Sequence, residues 1–128
     1  MQVSPTVLVN FSNHPSNLWS EKQRSAALSY ADEITDIPFP GVAPESGPDE
    51  IAELGDQYIE QILSLSAAAV MCQGEFSLSY YVVSQLEKRG IVCLAACSQR
   101  NVTERTTEDG RTVKEANFEF VRFREYRG

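Results

Sequence analysis

Short apolar runs alternate with helix-forming segments along most of the chain, which is the pattern of an α/β fold. The apolar runs predict four buried strands, at residues 6–11, 34–37, 67–72 and 91–96. The segments between them carry helix-start signals and a helical spacing of apolar residues, and they predict helices at residues 21–31, 48–65 and 76–89. Because strands joined by helical crossovers pair in parallel, we expect a mainly parallel sheet.

The last third of the chain has a different pattern. Residues 102–107 and 112–126 read as two strands on either side of Asp109 and Gly110, which predicts a β-hairpin. Its buried contacts are expected from Phe118, Phe120, Val121 and Phe123. The sequence therefore predicts one domain over residues 1–128, a three-layer Rossmann-like α/β sandwich with a mainly parallel sheet and a C-terminal β-hairpin.

Charge and hydropathy narrow the classes of function. A net charge of −7 argues against a general binder of duplex nucleic acid, which must neutralise many phosphates. The acidity lies in the first half, because residues 65–128 hold eight acids against nine bases, so a local site for a small anion stays possible. The apolar runs are too short for a membrane span, and Met1 to Pro5 carries no basic residue that would start a signal peptide. We expect a cytoplasmic protein with no membrane partner.

The three cysteines are expected to be small core residues. Cys93 and Cys97 would lie about 13 Å apart on one strand, at about 3.3 Å per residue, and a disulfide needs Cα atoms within about 7 Å. One histidine and no Cys-x-x-Cys pair argue against a zinc site. We predict neither a metal nor a cofactor.

Polar loops should meet at the carboxyl ends of the parallel strands, where such sheets bind their ligands. Three segments are expected there, at residues 10–16, 73–76 and 97–100. They contribute the candidate ligand-binding residues Asn10, Ser12, Asn13, Gln73, Gly74, Phe76, Ser98 and Gln99, and the candidate catalytic residues His14, Glu75 and Arg100.

Each of these residues has a functional and a structural interpretation. Gly74 with the helix behind it could cradle a phosphate, or it could simply form the turn. The carboxylate of Glu75 could orient a ribose hydroxyl or accept a proton, or it could stabilise the helix start. His14 could serve in acid–base chemistry or be an ordinary exposed histidine.

Arg100 and the hydroxyl and amide residues of the first loop have similar alternatives. The guanidinium of Arg100 could grip a phosphate through two parallel hydrogen bonds, or it could lie free on the surface. Ser12 and Asn13 could bind phosphate or sugar, or they could form the loop.

Five segments together resemble the small stand-alone CRISPR-associated proteins that are related in fold to the CRISPR-associated Rossmann-fold sensor domains and to ring nucleases. The segments are residues 9–16, 36–40, 74–76, 97–100 and 120–126. The resemblance implies a homodimer that binds a cyclic oligoadenylate, with cyclic tetra-adenylate as the expected ring. It also implies metal-independent cleavage, in which a ribose 2′-hydroxyl attacks the adjacent phosphate and leaves a cyclic phosphate.

The predicted loops lack a lysine, so charge stabilisation in such a reaction would fall on Arg100 and on backbone N–H groups. Three alternatives to cleavage follow. The protein could sense or sequester the messenger without cutting it, it could be a nucleoside-directed enzyme with Glu75 as nucleophile, or it could be an interaction protein with no ligand.

Overall fold

A computed structural model describes residues 4–128 and contains one five-stranded sheet with helices on both faces. The spatial order of the strands is β2-β1-β3-β4-β5, with bounds β1 Val7–Ser12, β2 Glu33–Pro38, β3 Ala67–Gln73, β4 Val92–Thr106 and β5 Thr112–Glu125. The helices are α1 Glu21–Leu28, α2 Pro48–Ser64 and α3 Phe76–Lys88, and a 3-10 turn covers Ser16–Leu18. The first four strands are parallel and β5 is antiparallel to β4, so the predicted Rossmann-like α/β sandwich with a C-terminal hairpin is confirmed.

The helix ends follow from local chemistry. The Ser20 hydroxyl accepts the N–H of Gln23 at 3.1 Å and starts α1, as its sequence predicts. Pro48 occupies the first turn of α2, where its missing N–H costs no hydrogen bond. No helix within residues 4–128 is both long enough and apolar enough to cross a membrane.

The face of the sheet that carries α2 and α3 is a closed apolar core. Alternate residues of β1 and β3, such as Phe11 and Val70, point into it and are fully buried. Phe11 packs against the rings of Phe39 and Tyr58, with centroids 4.6 and 5.1 Å away. The other residues of β1 and β3 point to the opposite face.

That opposite face carries only α1, which is eight residues long. Leu8, Met71 and Leu94 form the floor of a smaller core there. Phe120 and Phe123 of β5 close it, with ring centroids 4.9 Å apart. Because one short helix cannot cover four strands, part of the sheet on this face is left without a helix above it.

The predicted loop at residues 97–100 is wrong. Strand β4 continues without a break to Thr106, and Ser98, Gln99 and Arg100 pair with Phe120, Glu119 and Phe118 of β5. Residues 97–100 were predicted as a loop because they are polar. They are polar because they belong to one arm of a two-stranded ribbon whose faces are largely exposed to water. The hairpin around Asp109 and Gly110 is confirmed, and its first arm is the extension of the fourth strand.

The predicted burial of the hairpin aromatics is half correct. Phe120 and Phe123 are buried, whereas Phe118 is 75% exposed and Val121 is 43% exposed. A shift of register between Cys97 and Ser98 leaves Val121 without a partner in β4. This bulge brings Phe120 and Phe123, which are three residues apart, onto the same face.

The three cysteines are free thiols in the sheet, and Cys72 and Cys93 are buried as expected for core residues, whereas Cys97 is only partly buried. Burial raises the pKa of both Cys72 and Cys93 to about 12, so both thiols stay protonated at neutral pH.

Candidate ligand-binding cleft

A cleft of about 720 Å³ lies on the α1 face, at the carboxyl ends of the parallel strands. Its position follows from the topology, because the chain leaves β1 toward β2 through α1 and reaches β3 through α2 on the opposite face. Sheets of this type bind ligands at the point where successive connections change face. The cleft opens there, between the β1 loop, the start of α1 and the ribbon.

Four parts of the chain line the cleft. They are the β1 loop (Asn13, His14, Pro15), the segment that leads from the 3-10 turn into α1 (Leu18, Trp19, Ser20, Gln23), the floor from β3 and β4 (Met71, Gln73, Ala96, Ser98) and the ribbon (Phe118, Phe120). None of these lining residues is Lys, Arg, Asp or Glu, and His14 contributes the one imidazole among them. The cleft is thus an uncharged site with aromatic walls.

A buried polar network beneath the β1 loop fixes the position of His14. The Asn10 amide Nδ2 donates to the carbonyl of His14 at 2.8 Å and to Asp36 Oδ1 at 3.0 Å. The Ser12 hydroxyl donates to Asn10 Oδ1 at 2.6 Å and accepts the N–H of His14 at 3.1 Å. Asn10 and Ser12 therefore hold the loop from below, and neither lines the cleft.

Two further contacts complete this loop. The indole Nε1 of Trp19 donates to the carbonyl of His14 at 3.0 Å, and Asp36 accepts the N–H of Ser16 at 3.1 Å. These contacts use the backbone of His14 and leave its imidazole exposed. The loop thus presents the His14 ring from a rigid backbone.

Gln73 joins the floor of the cleft to β4. Its side chain accepts the N–H of Ala96 at 2.9 Å and donates to the carbonyl of the same residue at 3.3 Å. The backbone pairing of β3 with β4 reaches only as far as Leu94, and the amide side chain continues the contact between the strands to Ala96, two positions farther. Both polar ends of Gln73 are occupied by this contact.

Glu75 is the N-cap of α3. Its carboxylate accepts the N–H groups of Ser77 at 2.9 Å and Leu78 at 2.8 Å. The hydrogen bond from Leu78, followed by the one from Ser77, lowers the pKa of Glu75 below its usual value. These contacts agree with the second interpretation of Glu75, in which its carboxylate stabilises the start of the helix.

Gly74 is needed for a close approach to an aromatic ring. A Cβ at this position would lie 2.5 Å from ring atoms of Phe39, so no side chain fits unless the ring moves. Phe76, next in the same turn, is 90% exposed. Neither residue lines the cleft, although both lie at the same edge of the sheet.

The ribbon contributes Ser98 to the floor but leaves Gln99 and Arg100 outside the lining. Side chains on one strand alternate between faces, so Ser98 and Arg100 lie on the face that carries Phe118 and Phe120. Arg100 is thus directly opposite Phe118 and two residues beyond Ser98 on the same face. Gln99 points to the other face.

Sequence reasoning brought His14, Asn13, Gln73 and Ser98 together correctly but missed the aromatic walls. Trp19 and Phe118 are 99 positions apart, and no local pattern connects them. Phe118 and the buried Phe120 are two residues apart on the same face of β5, so alternation in the sequence does not distinguish the exposed ring from the buried one. Within the described residues 4–128, no group of three or more His, Cys, Asp or Glu is placed to hold a metal ion.

Comparison with known proteins identifies a family. No curated protein and no solved structure matches the chain significantly. One family model does match, that of the uncharacterized protein MJ1673 family, and it covers residues 6–124. This segment runs from the residue before β1 almost to the end of β5, and the chain therefore belongs to the MJ1673 family.

Proposed function

We propose that the cleft binds a nucleotide, and that the ligand is the cyclic oligoadenylate that the sequence resemblance implies. The observation that carries the proposal is the pairing of an exposed aromatic wall at Phe118 with the rigid loop of His14 across an uncharged polar floor. A volume of about 720 Å³ is in the range of small-molecule sites.

The lining suits a nucleobase. Phe118 exposes most of its ring, and an aromatic ring binds a base by stacking, which contributes about 1–3 kcal/mol per base. Asn13, Ser98 and Gln23 supply an amide, a hydroxyl and a second amide that can meet the polar edge of a base. A neutral, partly apolar surface favours the base over the phosphate as the buried part of the ligand.

The phosphates would then lie at the mouth of the cleft. Arg100 occupies the same face of the ribbon, opposite Phe118, and its guanidinium can meet a phosphate there. The N–H groups at the start of α3 that the Gly74 turn would offer are already taken by the Glu75 carboxylate. This favours Arg100 over the Gly74 turn as the anion contact.

Binding without cleavage is the better supported mode. Both oxygens of Glu75 accept helix N–H groups, which leaves the carboxylate poorly placed to orient a ribose hydroxyl. The same contacts and the lowered pKa also weaken Glu75 as a nucleophile toward a nucleoside. A protein that senses or sequesters the messenger needs none of this chemistry.

Metal-independent ring cleavage is the second candidate, and His14 is the observation that favours it. Its exposed imidazole lines the cleft and could take the proton of an attacking 2′-hydroxyl. Attack of the 2′-oxygen on the adjacent phosphorus would break the bond from that phosphorus to the 5′-oxygen, so that the products are a 2′,3′-cyclic phosphate end and a 5′-hydroxyl end, without a metal ion.

Trp19 is the sole tryptophan and lines the cleft, so its fluorescence is a direct reporter of occupancy. We expect saturable quenching by cyclic tetra-adenylate, and a loss of affinity of roughly 5- to 150-fold in Phe118→Ala, from the lost stacking. Tyr80→Ala is the matched control, because Tyr80 is 77% exposed on α3 and is not part of the lining. No spectral change with any ring size, or an equal loss in both variants, would refute the assignment of the ligand to this cleft.

The same samples separate the two modes. Incubation with excess protein in EDTA, followed by mass spectrometry, should return the intact ring if the protein only binds. Linear products with a cyclic phosphate end, lost in His14→Ala but not in Tyr80→Ala, would instead establish cleavage.

A further inference from the structure

Strand β4 has an unpaired edge along the ribbon. Residues 98–106 pair with β5 on one side, and within residues 4–128 no strand lies on the other side, because the register with β3 ends at Leu94. We infer that this edge pairs with the same edge of a second copy of the chain, antiparallel, about a two-fold axis through Val102. The inference rests on the strand edge alone and is independent of the proposed ligand.

The edge carries the charged side chains Arg100, Glu104 and Arg105, but it lacks the other features that usually keep strand edges apart. Residues 98–106 contain no proline, no lysine and no glycine, and they form nine consecutive positions of regular ladder with β5. The outer edge of β5 differs, because the bulge at Val121 interrupts it and Arg122 and Arg124 follow. Of the two ribbon edges, that of β4 is therefore the one suited to pairing.

The backbone N–H and C=O groups at the proposed axis point toward the free edge of β4. Thr107 donates its N–H to the carbonyl of Arg111 across the hairpin at 2.8 Å. In an antiparallel ladder every second residue bonds to the same neighbour, so the odd-numbered residues of β4 bond to β5. The N–H and C=O of Val102 therefore point to the free edge, where two copies can exchange both hydrogen bonds.

The side chains are self-complementary in this register. A two-fold axis through Val102 places Arg100 opposite Glu104 of the second copy, twice over, with the two valines side by side at the centre. Arg100 has no ion-pair partner within residues 4–128, and Val102 is 54% exposed. Edge pairing would give Arg100 an ion-pair partner and would cover the exposed side chain of Val102.

Other registers are less favourable. An axis two residues away in either direction would place Arg100 or Glu104 opposite its own copy, and like charges directly opposite are destabilising. An axis one residue away would leave Arg100 opposite Val102 or Thr106, which are uncharged. The charges therefore select Val102 as the centre.

Such pairing would also complete the cleft. In this register Thr106 of the second copy lies opposite Ser98, which lines the cleft floor. The hairpin turn of one copy would stand beside the cleft of the other. The guanidinium of Arg100 has five donors and can meet a carboxylate and a phosphate together.

Charge reversal tests the register. We expect sedimentation to show a wild-type dimer, and we expect Arg100→Glu or Glu104→Arg alone to raise its dissociation constant about tenfold or more, because each creates two like-charged pairs. The double variant restores opposite charges and should return to within about threefold of wild type. A monomeric wild type, or a double variant no better than either single one, would overturn the inference. Circular dichroism confirms that each variant is folded.

A cysteine at the axis tests the geometry. Val102→Cys should form a covalent dimer on mild oxidation, because directly paired residues lie about 5.5 Å apart at Cα, within the range that a disulfide spans. The matched control is Ala116→Cys, since Ala116 is directly opposite Val102 on the outer strand and the same face. Equal crosslinking of both variants would indicate face-to-face packing of the ribbons and would refute edge pairing.

Discussion

The two faces of the sheet are built by the same strands but are closed to different degrees. The α2/α3 face buries Phe11, Val70 and Cys72 completely under two helices of 17 and 13 residues. The α1 face has one helix of eight residues, and aromatic side chains from β5 cover part of the remainder. The closed face supplies stability, and the incompletely covered face leaves room for a ligand.

The polar residues follow the same division. On β1, Val9 and Phe11 point to the closed face, whereas Asn10 and Ser12 point to the open one and hold the His14 loop. Buried polar groups are costly unless they are hydrogen-bonded, and the buried polar side chains of β1 lie on the open face only, which indicates that this side of the strand has a task other than packing. Substitutions matched across the two faces can test this division.

The largest effect on stability is expected from Phe11→Ala on the closed face. The substitution removes a fully buried ring that packs on Phe39 and Tyr58, and it should reduce the free energy of unfolding by about 3–5 kcal/mol. Trp19→Ala on the open face removes a partly buried ring and should cost only about 1–2 kcal/mol while abolishing nucleotide binding. Urea denaturation and calorimetric titration of both variants measure the contrast, and a reversed order of the two stability losses would contradict it.

Gly55→Ala should destabilise the closed face by about 1–3 kcal/mol without affecting the cleft. A Cβ at Gly55 would lie 2.3 Å from a ring atom of Tyr81, at the contact between α2 and α3. Gly41→Ala is the control, because nothing lies within 4 Å of a Cβ there. Thermal unfolding measures stability, and unchanged ligand affinity in the folded Gly55→Ala variant would show that the two faces are independent.

Asn10→Ala should affect both stability and binding, because it removes one donor to the carbonyl of His14, the donor to Asp36 and the acceptor of the Ser12 hydroxyl proton. We expect a loss of about 1–3 kcal/mol in the free energy of unfolding. The loosened loop should also weaken nucleotide binding. Asn17→Ala, an exposed position in the adjacent 3-10 turn, serves as the control. Full affinity in Asn10→Ala would mean that the loop does not depend on this network.

The smallest effect is expected from Glu75→Gln, and it should depend on pH. Because the folded-state pKa of Glu75 is lowered, its ionised carboxylate stabilises the fold at neutral pH, and this contribution is lost as the pH falls through that value. Melting temperatures of wild type and variant should therefore differ at neutral pH and converge in acid. Glu60→Gln, which removes an exposed carboxylate in the interior of α2 and not at a helix start, is the matched control. Loss of nucleotide binding in Glu75→Gln at neutral pH would instead indicate that Glu75 takes part in ligand binding.

The sequence by itself determined the order of the elements and the class of fold, because helix starts, strand runs and hairpin turns are encoded by neighbouring residues. Ser20, Pro48 and Asp109 with Gly110 each signal their structure locally. The meeting of His14 and Gln73 was also predictable, since β1 and β3 are parallel and end at one edge, whereas Ser98 lies beside them because β4 continues past that edge.

Tertiary structure decided what depends on contacts between distant segments. Residues 97–100 form a strand because β5 pairs with them, and Asn10 holds a loop because Asp36 lies beside it on another strand. The sequence left the roles of Gly74 and Glu75 open. The structure shows that Gly74 lies against the ring of Phe39 and that Glu75 accepts N–H groups at the start of α3. The aromatic walls of the cleft consist of residues that are distant in sequence, such as Trp19 and Phe118. No local pattern relates them, because they are brought together by strand pairing and burial.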